Sequence, residues 1–314
     1  MTSPTTRETI SLPGGRRVDV IEYGDPHGAP AIYLHGTPSS AREAQWPHEP
    51  ASTAHVRIIS MDRPGYQASD PMTSPAFEAT AKVVVDVATH LGLGRFSVIG
   101  FSGGAGSALA TAAVAQGQVN SVHLGGGMGS PLPGAAKSLP ASRRIFFGIA
   151  ASAPMVAKFL LGRMSKRMNK LLGPKLQMPT LAVLELLEGS AKGPQVSAAE
   201  SFARATPQAD LHAWASEYLE GARAIDAVWG DMASLSRPWS FDLLQLTTPV
   251  ELWHGTDDGA VPYDYAEALS KLLPNATLHS LQGEGHFVFL TRGAEVCEAI
   301  HLASLPKDRR PQSR

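Results

Sequence analysis

The chain has 314 residues, 43% of them hydrophobic and 18% charged, enough for one large domain, or one domain carrying an insertion, around a sizeable core. Its 27 Lys and Arg against 28 Asp and Glu leave a formal net charge of −1, so the chain as a whole has no general drive toward nucleic acid or anionic membranes. A single cysteine, Cys297, excludes an internal disulfide; no basic stretch and apolar core open the chain, and no apolar run is of membrane-spanning length, so a soluble cytoplasmic protein is expected.

In chain order, RRVDVIEYG at 16–24 alternates apolar and polar residues after the turn Pro13-Gly14-Gly15, the pattern of a strand. AIYLHG at 31–36, VRIISMD at 56–62 and FSVIGFS at 96–102 are apolar nearly throughout and stop at turn residues. Such runs predict a sheet buried on both faces, with parallel strands joined by helices. PAFEATAKVVVDVATHLGL at 75–93 supplies one helix, with Phe77, Ala81, Val84, Val85, Ala88 and Leu91 near helical spacing. AGSALATAAVAQG supplies another and stops at Gly117. SVHLGGG at 121–127 reads as a further strand, and SPLPGAAKSLP at 130–140 as a linker.

The following stretch has no strand pattern. SRRIFFGIAASAPMVAKFLLGRMSKRMNKLL and AESFARATPQADLHAWASEYLEGARAIDAVWGDM read as helices, and the basic cluster at 158–175 as a solvated helical face rather than a nucleic-acid patch. Strands resume with TPVELWHG at 248–255 and ATLHSLQG at 276–283, with EALSKLL as a helix between them, a last helix near 291–302, and a solvated tail, PKDRRPQSR. The layout is α/β, a mostly parallel central sheet flanked by helices, with residues 1–129 and 241–314 as the core domain and 130–240 as a helical cap insertion.

Chemistry concentrates at strand ends. Gly100-Phe101-Ser102-Gly103-Gly104 fits G-x-S-x-G between an apolar strand and a helix. There a sharp turn lifts the serine above the sheet, small neighbours avoid collision, and helix N–H groups favour developing negative charge. The same glycines also suit a plain strand-to-helix turn. A serine hydroxyl needs a base, and the base an orienter. Of 11 histidines, His286 stands apart in QGEGHFVFL, a glycine-flanked loop after the last strand, whereas His254 sits inside VELWHG as a packed residue. Asp257 and Asp258 follow that same strand in HGTDDGAVP. The order Ser, Asp, His, each at the C-terminal end of a strand, is the one expected for this turn. For an oxyanion, the backbone N–H of Gly103 and that of Thr37, in HGTPSS at 35–40, are the candidate donors; His35 reads as a brace for that loop.

The sequence resembles α/β-hydrolase fold enzymes in HGTP at 35–38, DRPGYQASD at 62–70, GFSGG at 100–104, HGTDDGAVP at 254–262 and GEGHF at 283–287, which together span its sheet portions. The resemblance implies Ser102 as nucleophile, His286 as base and Asp258 as orienter, with Asp257 the alternative, and makes the helical stretch the fold's cap. Relatives with an aspartate nucleophile are disfavoured by Ser102, and HGTPS with GFSGGAG departs from the HGGPG of proline iminopeptidase-like members. The Arg63-Pro64-Gly65-Tyr66 stretch reads as a structural turn. The expected activity is hydrolysis of a carboxylic ester or lactone of a mostly apolar small molecule, with no cofactor, no metal, no nucleic-acid or membrane partner, and an undetermined oligomeric state. Phe146, Phe147, Met155, Phe159, Leu160, Met164, Met168, Trp214, Tyr218 and Trp229 are candidates for an apolar pocket or for simple core. The alternatives are a carbon–carbon bond hydrolase or peptidase of the same fold, and a small-ligand receptor that keeps an intact triad. Cys297 is expected as a buried small apolar residue.

Overall fold

A computed structural model describes residues 7–73, 76–129, 139, 141–187, 190–236 and 239–306. Among them eight strands form one sheet: β1 (Glu8–Ser11), β2 (Arg17–Gly24), β3 (Ala29–Leu34), β4 (Val56–Met61), β5 (Phe96–Phe101), β6 (Val119–Gly125), β7 (Val250–Gly255) and β8 (Ala276–Leu281), in the order β1-β2-β4-β3-β5-β6-β7-β8. β1 and β2 pair antiparallel at one edge, β2 also runs antiparallel to β4, and every other neighbour is parallel. The apolar runs predicted this parallel block, and each expected strand lies within a few residues of its place. β1 was not anticipated, because four residues with a single buried side chain carry too little pattern.

Side chains alternate across the sheet. Ile32 and Leu34 of β3 face one core, with Ile59, Val98, Val122 and Leu252, under helices α2 (Phe77–His90), α3 (Ala105–Val114) and α10 (Asp264–Leu272). Ala31 and Tyr33 face the other, with Ile58, Ile99 and Trp253, covered by α1 (His48–Thr53) and α11 (Phe289–Ser304). Cys297 is fully buried in α11. Between β6 and β7 run helices α4 (Ala141–Ser152), α5 (Pro154–Leu172), α6 (Pro179–Leu187), α7 (Pro194–Ala205), α8 (Gln208–Arg223) and α9 (Ile225–Leu235). Ala182, Val183 and Leu187 of α6 and Leu211, Trp214 and Ala215 of α8 join the second core, so these helices are seated on the sheet side that carries α11. The expected linker at 130–140, apart from residue 139, and the expected tail beyond residue 306 lie outside the described residues.

Candidate active site

Ser102 directly follows β5 and carries φ 49°, a left-handed backbone that non-glycine residues adopt only when their surroundings impose it. The surroundings are close here. A side chain at Gly104 would begin 2.2 Å from the carbonyl oxygen of Leu34, so the turn into α3 is pressed against the end of β3 and only glycine fits. This is the steric reason for the glycines around Ser102.

His286 lies in the loop after β8 and is buried, with Nδ1 2.8 Å from Asp258 Oδ2. Asp258 is itself buried in the loop after β7, and its Oδ1 accepts the N–H groups of Ala260 and Val261, both at 2.8 Å. Burial alone would raise the Asp258 carboxyl, but the adjoining His286 and hydrogen bonds from His254 and His286 hold it well below the usual carboxylate range. This environment favours the ionised carboxylate. Asp257 instead points to solvent, accepting the Thr256 hydroxyl at 3.1 Å. His254 is a buried brace, its Nε2 2.8 Å from the Val261 carbonyl and 3.3 Å from Asp258 Oδ2.

The loop after β3 is built around His35, which is fully buried and neutral: burial first, then the charge of Arg63, depress its pKa far below the ordinary value. Nδ1 donates to the Gly36 carbonyl at 2.8 Å, and Nε2 accepts the Arg63 N–H at 3.1 Å. Thr37 lies against Gly103, whose side chain, if it had one, would begin 3.3 Å from the Thr37 nitrogen. The Thr37 hydroxyl donates to Asp231 of α9 at 2.6 Å and accepts from Arg63 at 2.7 Å. Asp231 also takes the Arg63 guanidinium at 2.7 Å and the Tyr66 hydroxyl at 2.7 Å. Arg63 and Tyr66, expected only to turn the chain, thus also join the core to the insertion. Behind the loop, fully buried Glu43 accepts the Gly36 N–H at 2.9 Å and the Tyr33 hydroxyl at 3.0 Å. Burial outweighs the hydrogen bonds it receives from Ser39, Gly36 and Tyr33 and pushes its carboxyl up to about 7.

A second seam holds the histidine loop. The His286 N–H donates to the Ser190 carbonyl at 2.8 Å, and fully buried Gln195 of α7 accepts from Gly285 N–H at 3.1 Å and Phe287 N–H at 3.3 Å. The insertion therefore fixes the backbone on both sides of the imidazole.

Ser102, Gly103, Thr37 and His286 line one cavity of about 750 Å³. Its wall is aromatic: Trp46 packs edge-on against Phe101 and Phe287, both with ring centroids at 5.5 Å, and meets Trp214 at 5.9 Å. Of the sequence candidates, Phe146, Phe147, Leu160, Met164, Trp214 and Tyr218 line it, whereas Met155 and Phe159 project from the surface and Met168 and Trp229 are half-buried elsewhere. Among the described residues no group of His, Cys, Asp or Glu side chains converges as a metal site. Asp231, Glu43, Gln195, Trp46 and Phe287 were not singled out in the sequence. The one available signal was Asp231, an acid past the first turn of a mostly apolar α9.

A family profile described as alpha/beta hydrolase fold matches residues 30–293. A proline iminopeptidase of Xanthomonas citri is 37% identical over 97 residues, 29% of this chain and 30% of that protein. A probable proline iminopeptidase of Streptomyces coelicolor is 34% identical over 131 residues, 39% of this chain and 40% of that protein. Each match spans less than half the relative's length. An esterase structure from Rhodococcus sp. ECU1013 superposes with a TM-score of 0.62 over 96% of this chain and 98% of its own, at 20% identity.

Proposed function

The chain belongs to the alpha/beta hydrolase family, and from that premise we propose that it is a serine hydrolase acting on a carboxylic ester or lactone of a mostly apolar small molecule. One observation carries the reading: Ser102, on a strained strand-to-helix turn, shares its cavity with His286, whose far ring nitrogen is held by the buried, ionised Asp258. In this reading Ser102 Oγ attacks the acyl carbon as its proton passes to His286 Nε2. Asp258 keeps Nδ1 protonated and stabilises the imidazolium. The N–H groups of Thr37 and Gly103 bind the oxyanion, and collapse of the adduct expels the alcohol with the proton from His286. Water, deprotonated by the same histidine, then releases the acid from the acyl-enzyme. The aromatic wall suits an apolar acyl or alcohol part.

The two proline iminopeptidase relatives favour a second reading, removal of an N-terminal proline from a peptide. Both readings use the same serine, so the test is one of substrate. Labelling of Ser102 by a fluorophosphonate, with steady turnover of short-chain p-nitrophenyl esters and none of proline p-nitroanilide, supports the ester reading. The reverse preference supports the peptidase reading, and failure to label Ser102 overturns both.

A further inference from the structure

The overall balance of −1 hides a local asymmetry. Residues 141–177, which form α4, α5 and the 3₁₀ turn after them, carry eight Lys and Arg side chains and no Asp or Glu. Along α5, Met155, Phe159, Lys166 and Lys170 recur at helical spacing on one exposed stripe, apolar in the first turns and basic in the last. Met155 is 78% exposed, Phe159 64%, Met164 63%, and Ile145 on the adjoining α4 63%. Single apolar side chains on a surface need no explanation, but a cluster across two packed helices does. Lys158 is paired with Asp226 of α9 and Lys175 with Glu185 of α6. Among the described residues, Arg163, Lys166, Arg167 and Lys170 have no ion-pair partner.

We propose that this α4–α5 face docks on an anionic lipid surface. The apolar side chains enter the boundary between headgroups and acyl chains, while the cations meet the headgroup charge. Charge decides the occupant. A second copy of this chain bound through the same face would bring two basic surfaces together. A nucleic acid would engage the cations and leave Met155, Phe159 and Ile145 in water. Among the described residues no helix is long and apolar enough to cross a membrane, so the face lies on the bilayer. The cavity beside Ser102 reaches the same face, since Ile145, Leu160, Arg163 and Met164 line it together with His286. A docked molecule therefore takes an acyl ester from the lipid phase directly toward Ser102. That use of the face rests on the hydrolase reading, but the docking does not.

Vesicle flotation of the Ser102→Ala protein tests docking without turnover. Binding to phosphatidylcholine–phosphatidylglycerol vesicles, weakening with salt, and none to phosphatidylcholine alone, is expected. Each basic side chain near an anionic surface contributes about fivefold, so Lys166→Glu with Arg167→Glu should weaken binding at least ~20-fold. Met155→Ser with Phe159→Ser should weaken it about tenfold or more. In a Ser102 background neither pair should change turnover of a dissolved ester. The proposal is overturned if anionic vesicles do not bind at low salt, or if the apolar pair is without effect. It is equally overturned if a DNA duplex displaces the vesicles, or if sedimentation shows a dimer that the apolar pair dissociates. Flotation by a protein without any esterase or peptidase activity keeps the docking face and overturns the hydrolase reading.

Discussion

The sheet and the insertion hold the same site by different physics. The strands β3, β5 and β7 and the loop after β8 set Ser102, Asp258, His286 and the Thr37 loop by backbone geometry within a packed apolar core. The insertion touches the same loops through polar contacts: Asp231 to Thr37, Arg63 and Tyr66, and Ser190 and Gln195 to the histidine loop. The reacting side chains sit at the strand ends, outside the close-packed apolar core whose volume fixes the backbone. A buried polar seam depends on few atoms, and removing one partner strands the others. Changes at the strand ends should therefore stop the chemistry with the fold intact, while changes at the seam should cost stability and positioning together.

The largest effect is expected for Ser102→Ala. Removing such a nucleophile costs up to about 10⁶-fold in turnover, and the alanine protein should unfold at the same denaturant midpoint. A purified variant with near-normal turnover would place the chemistry elsewhere. Next, Asp258→Asn should lower turnover roughly 10³- to 10⁴-fold, because the amide no longer fixes the His286 tautomer. Asp257→Asn, changing an exposed side chain, should lower it less than about tenfold. Steady-state rates of both variants, matched for folding by circular dichroism, separate the two aspartates; equal effects would mean that neither orients the base.

The seam comes third. Arg63 is only 2% exposed, and Asp231→Ala leaves its guanidinium buried without a counter-charge. Such a change costs about 3–5 kcal/mol, readable by chemical denaturation, and should lower kcat as Thr37 loses its anchor. A variant as stable as the parent would show that the insertion merely covers the site.

The strand ends were legible because their signals are local. A continuous apolar run announces a buried parallel strand, and glycines beside Ser102 and His286 announce turns at its end. Asp258 could be preferred to Asp257 only through family spacing, since neighbouring carboxylates look alike until one is buried. The seam was not legible. Arg63 and Asp231 lie far apart in the chain, Gln195 sits in an ordinary amphipathic helix, and nothing in SSAREAQW marks Glu43 as buried. The exposed face of α5 was read as a solvated basic helix because charge was visible in the sequence and the exposure of Met155 and Phe159 was not.

The smallest effect concerns Glu43, where core and loop meet. With its carboxyl held near 7 against an ordinary value of 4.5, the side chain is neutral in both folded and unfolded protein below about pH 4.5. As pH rises toward 7 the unfolded chain releases its proton and the folded protein keeps it, so stability falls across that window, by on the order of 3 kcal/mol in total, and levels off above it. Ionisation above pH 7 also sets a negative charge behind the Gly36–Thr37 loop, opposing an oxyanion. Glu43→Gln keeps an acceptor for Gly36 and Tyr33 and cannot ionise. It should flatten the stability decline between pH 4.5 and 7 and raise turnover above pH 7 by less than about tenfold. Unchanged profiles in denaturation and rate measurements would remove Glu43 from the site's electrostatics.

β6 pairs with β7 from Val122↔Val250 to Gly125↔Trp253, with the whole insertion emerging between them. On a ribosome adding about 5–20 residues per second, the seven fully buried residues of β6 wait on the order of ten seconds for their neighbour. Throughout that time the nascent sheet ends in an unpaired strand edge, the kind of surface that recruits other chains. The serine turn is already made, while the aspartate and histidine do not yet exist. Only the arrival of β7 closes that edge, and the same stretch of chain brings Asp258 into the loop that follows it.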